Sequence, residues 1–292
     1  MILKGIPQDL FDFLKKVHDA MLPVFAGSIV PIFEHRDGRM SLLGTGTLLK
    51  IADTRLLVTA AHVAHVAAKK QVGLFVPGVK TKFVSLKGKV ISAPQSKVDV
   101  SVLELHKDAV VRLEGRRFLT LADLDTRGGQ LSQGWYYIHG YPSSYAPADV
   151  LAPGAQVVAL SYGSVLYEGP TDTFDSESYD QDMHILFQIY KDKNYSFDGN
   201  EEPMPKAIHG VSGCSIWHVA NFDVDKDSWR PHMAKVVAVE TGFFNSRSPS
   251  AQGDLLDVMA VKGVRWWVLM HMLWKQFPEL RPAIRVHFPL ME

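Results

Sequence analysis

Gly210-Val211-Ser212-Gly213-Cys214-Ser215-Ile216-Trp217-His218-Val219 places a serine between two glycines and then runs straight into a β-like stretch. Glycine takes up left-handed backbone at no steric cost, so the first half reads as a tight turn. Residues 215–219 then read as a strand, and residues 236–241 supply a second one that ends on Gly242. Outward from that pair, β-like runs recur at residues 28–32, 46–51, 56–59, 72–76, 100–105, 135–138, 156–160 and 184–190, broken by Gly, Pro and Asp. Short strands at such spacing predict a β-barrel or sandwich rather than alternating strand–helix units.

Helical periodicity is confined to the ends. Leu10, Leu14, Val17 and Met21 recur at helical spacing behind Pro7, which predicts a short amphipathic helix before the main fold. The apolar run 20–33 carries Pro23 and Pro31 and is followed by Glu34-His35-Arg36-Asp37, so it reads as a helix end and a first strand, not as a signal peptide. Trp266, Leu269, Met270, Leu273 and Phe277 share one face of a final helix that stops at Pro278. A polar stretch, 116–133, joins two β lobes. The expected organisation is a helical extension (1–23), a first β lobe (24–115), a linker (116–133), a second β lobe (134–260) and a C-terminal helix and tail (261–292).

Composition narrows the function classes. The 292 residues, 47% hydrophobic, suffice for one large domain or two lobes sharing an interface. Lys and Arg number 31 and so do Asp and Glu, which leaves no basic footprint for a nucleic acid. The C-terminal apolar stretch contains Arg265, His271 and Lys275, so no membrane partner is expected. Cys214 is the only cysteine. An intramolecular disulfide is therefore excluded, and a reducing, cytoplasmic location is the expectation.

Three segments carry candidate chemistry: Thr59-Ala60-Ala61-His62-Val63, Asp99-Val100-Ser101-Val102-Leu103 and the Gly-x-Ser-Gly turn around Ser212. The chain order His, Asp, Ser is one that catalytic triads use. Small residues around His62 leave room for approaching groups, as a general base needs. Asp99 heads an alternating run and sits where a carboxylate can hold an imidazole. Flanking glycines let Ser212 turn with its backbone N–H groups aimed at a developing oxyanion. Each segment also has a plain structural reading, as a core histidine, a turn aspartate and a Gly/Ser turn; it is the combination that weighs against those.

Together with Gly44-Thr45-Gly46-Thr47-Leu48-Leu49 and Ile138-His139-Gly140-Tyr141-Pro142, these segments resemble the trypsin-like (chymotrypsin-fold) serine peptidases, in a disulfide-free form of bacterial type. The resemblance spans about residues 28–280. It implies an all-β fold of two antiparallel six-stranded β-barrels, with His62 and Asp99 on the first and Ser212 on the second. It assigns His62 as general base, Asp99 as its orienting carboxylate, Ser212 as nucleophile, and the N–H groups of Gly210 and Ser212 as the oxyanion hole. Substrate would pair with the strand from Val236 to Phe243, through Thr241, Gly242 and Phe243, with Glu240 and Lys206 at the pocket. A Glu240 open to that pocket favours Arg or Lys before the cut, an inward Lys206 favours an acidic residue, a pair between the two cancels the charge, and the acidic loop 172–182 tips the expectation to basic. The expected activity is serine endopeptidase, without cofactor or metal, on a polypeptide substrate, with control by a protein partner or by rearrangement of the cleft. The alternatives are a catalytically silent double-barrel binding module and a hydrolase of a non-peptide acyl bond.

Departures from the family pattern are informative. Val211 stands where zymogen-activated members carry an Asp that pairs with a freshly cut N-terminus, so that activation route is not expected. Cys214 replaces the second glycine of Ser-Gly-Gly and reads as a packed side chain rather than a nucleophile. His65 lacks the further ligands that a zinc pair with His62 needs. Asp223-Val224-Asp225-Lys226-Asp227 opens like a calcium loop, but Ser228 and Ala234 stand where such a loop needs Gly and Glu, so it reads as a solvated connection.

Overall fold

The computed structural model describes residues 2–3, 6–70, 73–79, 83–93, 97–125, 131, 133–172, 174, 178–191, 194–198, 200–201, 204–205, 208–249 and 255–289. The first half runs β1 (Ile2–Leu3), α1 (Gln8–Ser28), β2 (Ile29–Arg36), β3 (Arg39–Ile51), β4 (Thr54–Ala60), α2 (Ala61–Lys70), β5 (Leu74–Val76), β6 (Val84–Leu86), β7 (Val90–Ser92), β8 (Val100–Glu104) and α3 (Lys107–Arg112). The second half runs β9 (Gly134–Gly140), β10 (Leu160–Ser164), β11 (His184–Tyr190), β12 (Asn194–Tyr195), β13 (Ser215–Asn221), β14 (Lys235–Pro249), β15 (Leu255–Arg265), α4 (Trp266–Gln276) and α5 (Arg281–His287).

Thirteen of the strands form two antiparallel sheets, ordered β6-β5-β2-β3-β4-β8-β7 and β10-β9-β13-β14-β15-β11, and β1 pairs separately with β12. The all-β, two-barrel expectation stands, with one difference in count: the first sheet has seven strands, because residues 84–86 and 90–92 pair as separate short strands. Bulges at Ile32/Phe33, Ile216/Trp217 and Glu240/Gly242 coil the sheets rather than leaving them flat. The expected strand at 156–160 begins only at Leu160, and the strand Leu255–Arg265 runs past residue 260, through what was expected to be the approach to the final helix.

The N-terminal helix is long rather than short. It continues through residues 24–28 before β2 begins, with the Ser28 hydroxyl donating to the Val24 carbonyl at 2.6 Å in its last turn. Leu14, Val17, Met21 and Phe25 are fully buried on one face, and each such burial contributes about 2 kcal/mol. That face lies on the second sheet: the Tyr137 hydroxyl donates to the Leu14 carbonyl at 2.8 Å, and Phe25 meets Trp217 edge-on at 5.6 Å. The predicted stripe of α4 (Trp266, Leu269, Met270, Leu273), with Phe277, is buried against the same core. No helix among the described residues is long and apolar enough to cross a membrane.

Among the described residues, the sheets are joined through the linker and through β3. The linker pairs with both: the Lys50 N–H donates to Leu119 O at 2.7 Å, and the Asp125 N–H donates to Val236 O at 2.8 Å. The second connection is built on Gly44-Thr45-Gly46-Thr47 of β3. Strand alternation sends the two threonines to one side and leaves the glycine positions on the other. A Cβ at Gly44 or Gly46 would lie 2.7 Å from Val63 or Leu57, so only glycine fits. Thr45 and Thr47 reach instead to the serine turn of the second sheet: Thr45 Oγ1 donates to Gly210 O at 2.7 Å, and Thr47 Oγ1 lies 2.8 Å from Ser215 Oγ.

Candidate active site

Strand β4 ends at Ala60 and the chain turns at once into α2, which puts His62 in the first turn of a helix. Backbone N–H groups in a first helical turn have no intrahelical acceptor. Asp99, just ahead of β8, supplies one: its Oδ1 accepts the His62 N–H at 2.8 Å, and its backbone oxygen accepts the Ala61 N–H at 3.1 Å. The other carboxylate oxygen lies 2.6 Å from His62 Nδ1. The pairing of β4 with β8 (Thr59↔Ser101, Ala60↔Val100) sets this distance. An ionised carboxylate can only accept, so Nδ1 carries the proton and the lone pair of a neutral ring sits on Nε2. Nε2 has no hydrogen-bond partner among the described residues, and the His62 side chain is half exposed.

Ser212 sits on a turn held largely through its own backbone. Gly210 and Gly213 have φ of 94° and 99°, the left-handed region. At Gly213 a Cβ would also sit 2.0 Å from Thr45 O and 2.4 Å from Thr59 Oγ1. The turn is tied to both sheets, with the Thr45 N–H donating to Ser212 O at 2.9 Å and the Gly213 N–H donating to Glu240 O at 2.8 Å. The His209 carbonyl accepts the Ser143 N–H at 2.6 Å, and the Val211 carbonyl accepts the Cys214 N–H at 3.0 Å. A trans peptide points its N–H opposite to its carbonyl. The N–H groups of Gly210 and Ser212 are thereby turned away from those contacts, and neither has an acceptor among the described residues.

The Ser212 hydroxyl makes no hydrogen bond to His62. It lies beside the carboxyl of Glu240, near enough to favour its ionised form although no hydrogen bond forms between them, and Glu240 is 1% exposed. Burial pushes that carboxyl up to about 8; the Ser212 hydroxyl and the Gly242 backbone pull it down by less, the charge of Asp99 pushes it up, and that of Lys262 pulls it down. Glu240 Oε2 is buried with no partner. A Glu240 open to a substrate pocket, the condition for a basic preference, is therefore not met. Lys206 lies outside the described residues.

Thr241, Gly242 and Phe243 follow on β14. Thr241 has no opposite number on β15, since Glu240 pairs with Gly263 and Gly242 with Lys262. Strand β13 covers β14 only over residues 235–239. From Thr241 onward β14 has β15 on one side and, among the described residues, no strand on the other. An uncovered edge of this kind can take an extended peptide as an added strand. Phe243 is half-buried, with its ring 5.8 Å from that of His209.

The remaining motif residues are structural. Cys214 is fully buried, and burial pushes its thiol up, away from thiolate chemistry. His65 Nε2 lies 3.0 Å from Ser92 Oγ. Gly140 packs under the turn, where a Cβ would meet Val211 at 2.9 Å, and the next residue's N–H donates to Thr45 Oγ1 at 3.0 Å. His139 is 3% exposed, bonded to Ser161 Oγ at 2.6 Å, and pushed down to about 3 by burial. The connection after β13 buries Trp229, whose indole N–H donates to Val219 O at 2.7 Å. No cluster of metal-ligating side chains occurs among the described residues. Lys262, absent from the sequence reading, sits opposite Gly242 and donates to Ser178 O at 2.9 Å. Its signal was present in the β-like run Val258-Met259-Ala260-Val261, which pairs it with the candidate substrate strand.

The chain matches no family model and no curated protein sequence. It does resemble solved structures. One, "Crystal structure of Deg5", is 14% identical with a TM-score of 0.47, over 95% of this chain and 97% of that one. Another, "Aromatic interactions drive the coupled folding and binding of the intrinsically disordered Sesbania mosaic virus VPg protein", is 16% identical with a TM-score of 0.41, over 83% and 87%.

Proposed function

We propose that the protein is a serine endopeptidase of the trypsin-like (chymotrypsin-fold) kind, acting on a polypeptide substrate through an acyl-enzyme. The observation that carries this reading is the Asp99 carboxylate, which grips both the backbone and the ring of His62 and leaves Nε2 as a half-exposed base. The glycine-clamped turn supports it, because two backbone N–H groups there lack internal acceptors. In this mechanism Nε2 takes the Ser212 proton as Oγ attacks the scissile carbonyl, and Asp99 stabilises the imidazolium. The Gly210 and Ser212 N–H groups receive the oxyanion. The imidazolium then gives its proton to the leaving amine, and water, deprotonated by the same ring, hydrolyses the ester. Thr241 to Phe243 pair with the substrate backbone.

A second reading, a catalytically silent double-barrel binding module, is favoured by one observation: the Ser212 hydroxyl lies beside Glu240 and makes no bond to His62. Labelling with a fluorophosphonate probe separates the two. The peptidase reading expects labelling of the wild type that is abolished by Ser212→Ala and reduced at least about a hundredfold by His62→Ala. A wild type that does not label, or a label that survives Ser212→Ala, overturns it.

A further inference from the structure

The carboxyl behind Ser212 has no counterpart in the three-residue mechanism. Glu240 lies on β14, buried beside the Ser212 turn, whose Gly213 N–H donates to its backbone oxygen at 2.8 Å, and its carboxyl also feels the Gly242 backbone, Asp99 at the head of β8 and Lys262 on β15. Cys214 also feels its charge, and that thiol stays protonated. An ionised carboxylate in this place would leave Oε2 without a donor, at the full cost of desolvation. It would also face the charge of Asp99, which His62 requires. Both arguments favour the neutral acid, and the acid, unlike the anion, has a proton to give.

We propose that Glu240 is a positioning residue that decides where the Ser212 hydroxyl points. A serine hydroxyl has one proton to donate and two lone pairs. Neutral Glu240 donates to Ser212 Oγ, which leaves the serine proton free to turn to His62 Nε2. Ionised Glu240 accepts that proton and holds the hydroxyl off the base. The carboxyl beside Ser212 is then the arm of a switch rather than a sign of a dead site. This inference rests on the serine-hydrolase reading above, and it adds a pH limit of its own: activity falls as Glu240 ionises. Burial holds that carboxyl at about 8, so the fall belongs to alkaline pH.

The test uses the full chain. Fluorophosphonate labelling rates are measured from about pH 6 to 10 for wild type, Glu240→Gln and Ser212→Ala, and the Glu240 side-chain carboxyl is followed by NMR in ¹³C-glutamate-labelled protein. The wild-type rate is expected to be about tenfold or more lower at pH 9.5 than at pH 7.5, with no such fall in Glu240→Gln, whose amide can donate but cannot ionise. The Glu240 resonance is expected to titrate in the alkaline limb of the rate and to move in Ser212→Ala. A wild-type rate without an alkaline fall, the same fall in Glu240→Gln, or a Glu240 resonance titrating in the ordinary carboxylate range overturns the switch. If Ser212→Ala alone abolishes labelling in those cases, the hydrolase reading survives. Labelling that is absent, or that persists in Ser212→Ala, overturns both. The NMR titration reads the carboxyl in the unaltered protein, so it still decides if Glu240→Gln does not fold.

Discussion

The two sheets deliver their parts of the candidate site by opposite means. The first presents His62 through a side-chain couple at a helix start, half exposed, where solvent tolerates a charged ring. The second presents Ser212 through backbone, on a turn clamped by left-handed glycines, with a carboxyl sealed behind it. Asp99 and Glu240 are the two acids of this site, and the difference between them is environment. Asp99 accepts from the His62 N–H and lies 2.6 Å from Nδ1, with its side chain 24% exposed; Glu240 is 1% exposed with one oxygen unpartnered. The first is met by donors, and burial favours the protonated form of the second.

The comparison breaks most visibly if the two halves do not act together. Ser212→Ala is expected to abolish fluorophosphonate labelling and His62→Ala to reduce it at least about a hundredfold, while the circular dichroism spectrum is retained. Asp99→Asn tests the first half alone. Its oxygen can still accept the His62 N–H, but its amide favours the wrong tautomer of the ring, so a loss of about 10²–10⁴ in rate is expected at nearly unchanged stability. A loss of under tenfold would show that the couple is structural.

Glu240 tests the second half through stability. Its folded pKa is raised above the ordinary value, so between about pH 4.5 and 8 the folded state holds a proton that the unfolded state has released. Stability relative to Glu240→Gln is therefore expected to be greatest below that window, to fall through it by a few kcal/mol, and to level off above about pH 8. Urea unfolding of both proteins at several pH values measures the difference, and parallel curves would contradict the burial argument. The backbone clamp predicts that Gly213→Ala destabilises by about 2–3 kcal/mol or more, through positive φ and a clash with Thr45 O. Gly38→Ala has φ of 75° but open space around it, and so should cost only about 1 kcal/mol.

The smallest expected effect belongs to a buried histidine. His139 is held down to about 3 by burial, so the unfolded chain binds a proton below about pH 6.5 that the folded state refuses. Its contribution is present above that pH and is lost as pH falls toward 3. His139→Asn should flatten the decline of the thermal midpoint over that window.

Much of this was legible in the sequence because it is local. Period-two apolar runs with Gly and Pro between them specify strands wherever they end up, and residues 184–190 and 215–219 were readable for that reason. Positive φ is a property of glycine itself, so the turn around Ser212 was equally plain. The short strands β6 and β7 were not, because three residues carry no period. Strand β15 was missed because Lys262-Gly263 interrupts its apolar run just before the helix.

Only the tertiary structure decided what each acid became. Sequence order placed Asp99 and Glu240 near candidate partners but said nothing of solvent, and an ionisation state depends on solvent and on every charge within several ångströms. Those neighbours come from distant segments: Ser212 from a turn, Asp99 from the first sheet, Lys262 from across a register that a bulge at Thr241 shifts. Alternation tells which residues share a face of a strand. It does not tell what that face will meet, and for Glu240 the answer was the hydroxyl of Ser212 rather than an open pocket.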